Sequence, residues 1–208
     1  MKRSIQFALL LFILGKTYCQ NVVVSATKMN VLYADVDNPF SFAINNTDCN
    51  DYQLSSNNGV IKCDSNCNCA INPIKFGKIT VIYIKDKTGK LIDSSEYRTK
   101  DLPDPVFEID YTTGCRGPIV TKVRDSVLLK MKDFNFNPKF TTMHFEVSLY
   151  RNDTLVSSYL NVGDKISSEV KKIYSLENPG DILYIKDIIV VQPSGRARKL
   201  SNLGFKID

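Results

Sequence analysis

The chain has 208 residues, 27 basic and 22 acidic side chains, one histidine, six cysteines and no tryptophan, for a formal charge of +5. Lys2, Arg3 and Lys16 account for the excess. Residues 20–103 hold nine basic and nine acidic groups and residues 104–208 fifteen and thirteen, so the remainder carries only +2. Such scattered, near-neutral charge excludes an electrostatic nucleic-acid footprint, and about 190 residues suit one large or two small domains.

The first nineteen residues have the pattern of an export signal. Lys2 and Arg3 precede Ile5–Gly15, an apolar run of signal-peptide length and shorter than the roughly twenty residues a bilayer span needs. Thr17 and Cys19 are small enough for the −3 and −1 positions, which puts cleavage between Cys19 and Gln20 and leaves no membrane span. Lipidation of Cys19 is the rival reading, disfavoured by Tyr18 and Lys16; a retained anchor is the third.

From Val22 the pattern is β. Residues 22–44 read as strand, turn and strand, with the turn at Asp35-Val36-Asp37-Asn38-Pro39 and Phe40, Phe42 and Ile44 alternating in the second strand. Asn57-Asn58-Gly59 is a turn. Ile79–Ile84 is a strand, and Asp86–Lys90, with Gly89, is the hairpin turn that follows it. Two prolines in Asp101–Pro105 forbid helix and ladder pairing, which sets a domain boundary there: residues 20–102 and 103–208.

In the second part Val106–Ile109 reopens β-structure. Ile119–Met131 fits a short helix or a strand pair equally well. Met143, Phe145, Val147 and Leu149 alternate with His144, Glu146, Ser148 and Tyr150, a strand with one wet face. Ser167–Leu176 predicts one short helix, capped by Ser167 or Ser168 and stopped by Asn178-Pro179-Gly180. Ile182–Val191 reads as a long buried strand and Leu203–Ile207 as the last. Arg196, Arg198 and Lys199, after the Pro193-Ser194-Gly195 turn, read as a solvated hairpin arm. The fold class expected is mainly β: a signal peptide followed by two tandem, immunoglobulin-like β-sandwich domains, the second with a short helical insertion.

Catalytic chemistry is sparse. His144 falls on a polar strand face with no nucleophile motif beside it, so an exposed strand histidine is favoured over a general base. Asp35 with Asp37, and Asp51 with Asp64, lack the spacing of a calcium loop. The cysteines stand out instead. Cys63, Cys67 and Cys69 lie in KCDSNCNCA, with Cys49 upstream and Cys115 left odd once Cys19 is removed. Their CxxxC and CxC spacing is not the paired CxxC of structural zinc, and an exported chain meets an oxidising compartment, so a disulfide clip among Cys49, Cys63, Cys67, Cys69 and Cys115 is favoured over metal or free thiols. No cofactor is expected.

Val24–Asn38 with Pro39, Tyr97–Pro105, Asp133–Phe140 and the closing segments NPGDILYIKDI, PSGRARKL and LGFKI together resemble the C-terminal domains of GldM, the gliding-motility and type IX secretion protein of Bacteroidetes. The resemblance covers about residues 22–208, and its segments are specific in combination. It implies the last two periplasmic β-domains of a long dimeric shaft that contacts outer-membrane components, and it implies no catalytic residues. Two departures stand out: the insertion around Cys63–Cys69, and the lack of a membrane helix that would carry the family's motor role. Two functions follow as expectations. One is a non-enzymatic periplasmic module of the gliding and secretion machinery that works by docking through exposed strand edges or by homodimerisation. The other is a free-standing immunoglobulin-like protein that recognises a protein or glycan at the cell surface.

Overall fold

The computed structural model describes residues 30–42, 49–109 and 125–207. The export segment with Cys19 and Gln20, the strand expected before Asn30, Cys115 and the start of the 119–131 segment lie outside the described residues. Val31–Asp208 forms one compact unit. Its strands are β1 (Val31–Tyr33), β2 (Asn38–Ser41), β3 (Tyr52–Ser56), β4 (Val60–Cys63), β5 (Asn68–Asn72), β6 (Ile79–Asp86), β7 (Leu91–Lys100), β8 (Val106–Glu108), β9 (Leu128–Lys130), β10 (Thr141–Arg151) and β11 (Thr154–Val162). Helix α1 (Ser168–Tyr174) follows, then β12 (Ile182–Val191), β13 (Ala197–Lys199) and β14 (Leu203–Lys206). The fold is mainly β with tandem sheet layers, as the sequence predicts.

The amino-terminal part stacks two sheets. One runs in the order β1-β7-β6-β3, with β1 parallel to β7; the other is β2-β5-β4. Leu32, Ile71 and Ile82 are buried between them, with Phe40, Leu54, Ile61 and Tyr97 packed around. The turn after β1 is organised by Asn38. Its Nδ2 donates to the carbonyls of Tyr33 (2.7 Å) and Val36 (2.9 Å), and its Oδ1 accepts from the Tyr33 amide (2.8 Å). Asn38 and Pro39 therefore open β2 rather than ending a turn, and Pro39 is tolerated because β2 is an edge strand. Gly59 is required where it stands: its φ is +110°, and a Cβ would lie 2.0 Å from the Asn72 carbonyl oxygen.

The carboxy-terminal part is built on the sheet β11-β10-β12, with β13 and β14 both pairing to β12. Phe145, Val147, Leu149, Leu183, Ile185, Ile188 and Val190 fill its inner face. The β8-β9 ribbon adds Phe107, and α1 adds Val170, Ile173 and Tyr174. Ser167 caps α1, its hydroxyl accepting from the Val170 amide at 3.2 Å. The described end of the 119–131 segment is strand, not helix, because Leu128–Lys130 pairs with β8.

Two bulges alter the expected burial. Ladder shifts around His144 turn Met143 out to 49% exposure, whereas an unbroken alternation would bury it with Phe145. In β12 the extra residue falls at Asp187, whose φ is +48°; burial runs Leu183 and Ile185, then Ile188 and Val190. This strand is buried on one face, not on both. Ser148, expected on the wet face, is fully buried beneath its neighbours.

Candidate docking surface

Strand β11 is the open edge of the largest sheet. It joins β10 through the two-residue turn Asn152-Asp153, both with positive φ (49° and 61°), the left-handed pair that matches hairpin twist. It pairs with β10 alone. Its sequence, TLVSSYLNV, contains no charge and no proline, the devices that normally blunt an edge. Leu155, Val156, Tyr159, Leu160 and Val162 are all exposed, Val162 at 76%. Asn161, fully buried, fixes the strand's end: Nδ2 donates to the Gly163 and Lys165 carbonyls (3.2 and 2.9 Å) and Oδ1 accepts from the Ser167 amide (2.9 Å). Between β11 and α1 lies a groove of about 560 Å³ lined by Tyr159, Ile173 and Leu176, with Glu169 and Lys172 among its polar lining.

On the outer face, Glu146 Oε1 accepts from Ser158 Oγ (2.6 Å) and Ser148 Oγ (2.7 Å) and meets Lys186 Nζ at 3.3 Å. The two serine hydroxyls, then the Lys186 cation, hold its carboxyl below the usual carboxylate range. Nearby, Asp181 is buried with Arg151 on it, Nε at 2.9 Å and Nη2 at 2.8 Å, and these hydrogen bonds depress its pKa in the same way.

A second cluster joins the two parts. Gln192, 2% exposed, donates through Nε2 to Asp35 and to Ser194 Oγ (2.9 Å), and its Oε1 accepts from Arg198 Nε (2.6 Å) and Arg196 Nη2 (3.1 Å). Arg198 Nη1 donates to the Leu102 carbonyl (2.6 Å) and Asp104 (2.9 Å), and Nη2 pairs with Asp101. Arg196 reaches Asp101 at 2.5 Å and lies 4.3 Å over the Phe76 ring. Tyr33 meets Phe134 and Phe136 edge-on at 4.7 and 5.7 Å. Arg196 and Arg198 are thus junction residues and not a solvated arm; only Lys199 of that group is exposed, pairing with Asp187 at 2.5 Å. Sequence spacing could not reveal this, because the acceptors lie some ninety residues away.

The remaining sequence candidates scatter. Cys63 and Cys69 face each other across the β4-β5 ladder and form a disulfide, and Cys67 is also disulfide-bonded. Asp64 closes the intervening loop by accepting from the Asn66 and Asn68 amides (2.8 and 3.0 Å). Cys49 opens a short 3-10 turn, Cys49–Asp51. Asp37 accepts from Asn72 Nδ2, and Asp51 pairs with Lys87, so the turn acids do not converge. Among the described residues no group of three or more histidine, cysteine or acidic side chains could hold a metal, and no helix is long and apolar enough to cross a membrane. His144 is half-buried in β10, between Val162 and Ile189.

Two family models account for nearly the whole chain: the GldM third domain matches residues 21–100 and the GldM C-terminal domain matches residues 103–208. The chain belongs to the GldM family. None of the curated proteins matches it. GldM domains are structural and non-enzymatic, and the C-terminal domains of GldM are periplasmic.

Proposed function

We propose that this chain is an exported, non-enzymatic docking module of the gliding-motility and type IX secretion envelope machinery, cut between Cys19 and Gln20 and divided into domains near residue 102. The closing domain carries the contact surface, and β11 is its centre. The observation that supports this is a nine-residue edge with exposed apolar side chains on both faces and no charge to deter pairing. A partner strand added to β11 would gain main-chain hydrogen bonds from the edge, and its alternate side chains would enter the groove between Tyr159 and Ile173. The same edge suits a second copy of the chain, so the module works as a homodimer or against a dimeric shaft.

The test is affinity purification of the tagged protein from its own host, with and without a lysine on the edge. The unaltered protein is expected to bring down secretion or gliding components, and Leu160→Lys, at a side chain 51% exposed, to lose them while melting normally. A strictly monomeric protein that returns no envelope component refutes the proposal.

A further inference from the structure

A second concave feature lies on the outer face of the large sheet, away from the β11–α1 groove. Tyr150, Tyr184, Lys186, Asn202, Leu203 and Gly204 surround a hollow of about 300 Å³. No strand or helix among the described residues covers it. Its walls are set by packing. The Tyr150 and Tyr184 rings meet at 5.6 Å and 83°, an edge-to-face pair, and Lys186 Nζ lies 5.7 Å over the Tyr150 ring. Tyr184 rests against the Gly204 backbone opposite it: a Cβ at 204 would stand 3.1 Å from Tyr184 Cε1. Absence of that side chain lets the ring approach the β14 backbone closely, with 37% of the residue open to solvent.

The electrostatics narrow what could sit there. Lys186 is the one charged residue lining the hollow, and its charge is already met by Glu146 at 3.3 Å. Glu146 is in turn fixed by Ser148 and Ser158, so neither ion swings free to recruit an opposite charge. An anionic ligand would compete with an existing pair. An apolar side chain would have to desolvate the lysine and the Asn202 amide without returning hydrogen bonds. Asn202 is exposed; its Oδ1 accepts from the Asp187 amide at 3.3 Å, which fixes the carboxamide and leaves Nδ2 for a ligand oxygen.

A partly exposed tyrosine ring, a fixed amide and an internally neutralised lysine make a chemically coherent set. The ring takes a flat face of C–H bonds, while the amide and the remaining ammonium donors take the hydroxyl groups around its rim. We propose that this hollow binds a neutral saccharide unit of a glycan, with the pyranose C–H face on Tyr184 and its hydroxyls on Asn202 and Lys186. The preformed geometry lowers the ordering cost, but the hollow is shallow, so single units bind weakly, in the millimolar range, and longer chains gain by repeated engagement.

The test uses purified full-length protein titrated with hexasaccharides of the chitin, cellulose and amylose types, followed calorimetrically and by amide chemical-shift mapping. At least one is expected to bind saturably, with shifts centred on β12, β14 and Asn202. Tyr184→Ala should weaken it about tenfold, the scale of one aromatic contact. Asn202→Ala, a change at an exposed residue that leaves the sheet intact, should weaken it severalfold, and Leu160→Lys on the edge should leave it unchanged. No saturable binding by any of the three, or binding indifferent to both Tyr184→Ala and Asn202→Ala, overturns the proposal. Shifts at the hollow produced by an apolar peptide but by no saccharide would reassign it to protein contact and overturn it equally. The Leu160→Lys arm separates this result from the fate of the β11 edge.

Discussion

Among the described residues the core cluster of the amino-terminal part holds three buried apolar residues, Leu32, Ile71 and Ile82, whereas the cluster around Phe145 in the carboxy-terminal part holds fourteen. The smaller part makes up the difference with directional contacts. Asn38 and Asn58 are buried and each tie strands or turns together, Asn58 through the Lys75 carbonyl and Thr80 Oγ1 (both 2.8 Å), and a disulfide crosses β4 and β5. The larger part has long strands and a helix, and can leave one strand edge undefended. A small β-layer without enough apolar area must be stapled, whereas a well-filled one can spend its periphery on contact.

That contrast can be broken by truncation. Phe145→Ala should cost about 3–5 kcal/mol, the range for a buried aromatic, and abolish the cooperative melt of the larger core. Ile82→Ala should fall at the low end of the aliphatic range, because its cluster has fewer neighbours to strand. Calorimetry on both variants decides it; an Ile82 cost above the Phe145 cost would mean that the small part depends on its core after all.

A smaller effect is expected at the junction. Arg198→Ala removes the donors to the Leu102 carbonyl, Gln192 and Asp104 and leaves Asp101 with one cation fewer. Losing several charge-assisted bonds at a mostly buried side chain should cost about 2–3 kcal/mol. The melt should also separate into two transitions, because the parts then unfold independently. A single, merely shifted transition would show that the aromatic contacts of Tyr33 with Phe134 and Phe136 are sufficient.

Smallest is the staple. Replacing Cys63 and Cys69 together by serine should cost about 2 kcal/mol, as the loop they close is short. In the Arg198→Ala background, where the two transitions are separate, the loss should register in that of the amino-terminal part only. An equal fall in both transitions would contradict the division of labour drawn above.

Local signals were legible in the sequence. Ser167 as a cap, the Asp86–Lys90 hairpin turn and the β12 run were readable because neighbours within a few residues determine them. The bulges at His144 and Asp187 were not, since nothing in an alternating pattern marks where one extra residue enters, and a single insertion moved Met143 from core to surface. The junction was illegible for a different reason. Arg196 and Arg198 look like any turn-flanking basic pair until the acids at 101 and 104 are brought to them. The docking edge was not legible at all: residues 154–162 drew no strand reading, and edge or centre is decided by pairing partners.

The bond between Gln192 and Asp35 spans 157 positions of the chain. Hairpins such as β10-β11 close from adjacent residues and should form early, whereas contacts of that separation must wait for the intervening chain to be made and folded. Until Gln192, Arg196 and Arg198 arrive, Asp35 and the Leu102 carbonyl lack these partners and Asp101 keeps only the neighbouring Leu102 amide. The junction is therefore a late checkpoint: its closure reports that both ends of the polypeptide have reached their native places, and a chain cut short of residue 192 would never pass it.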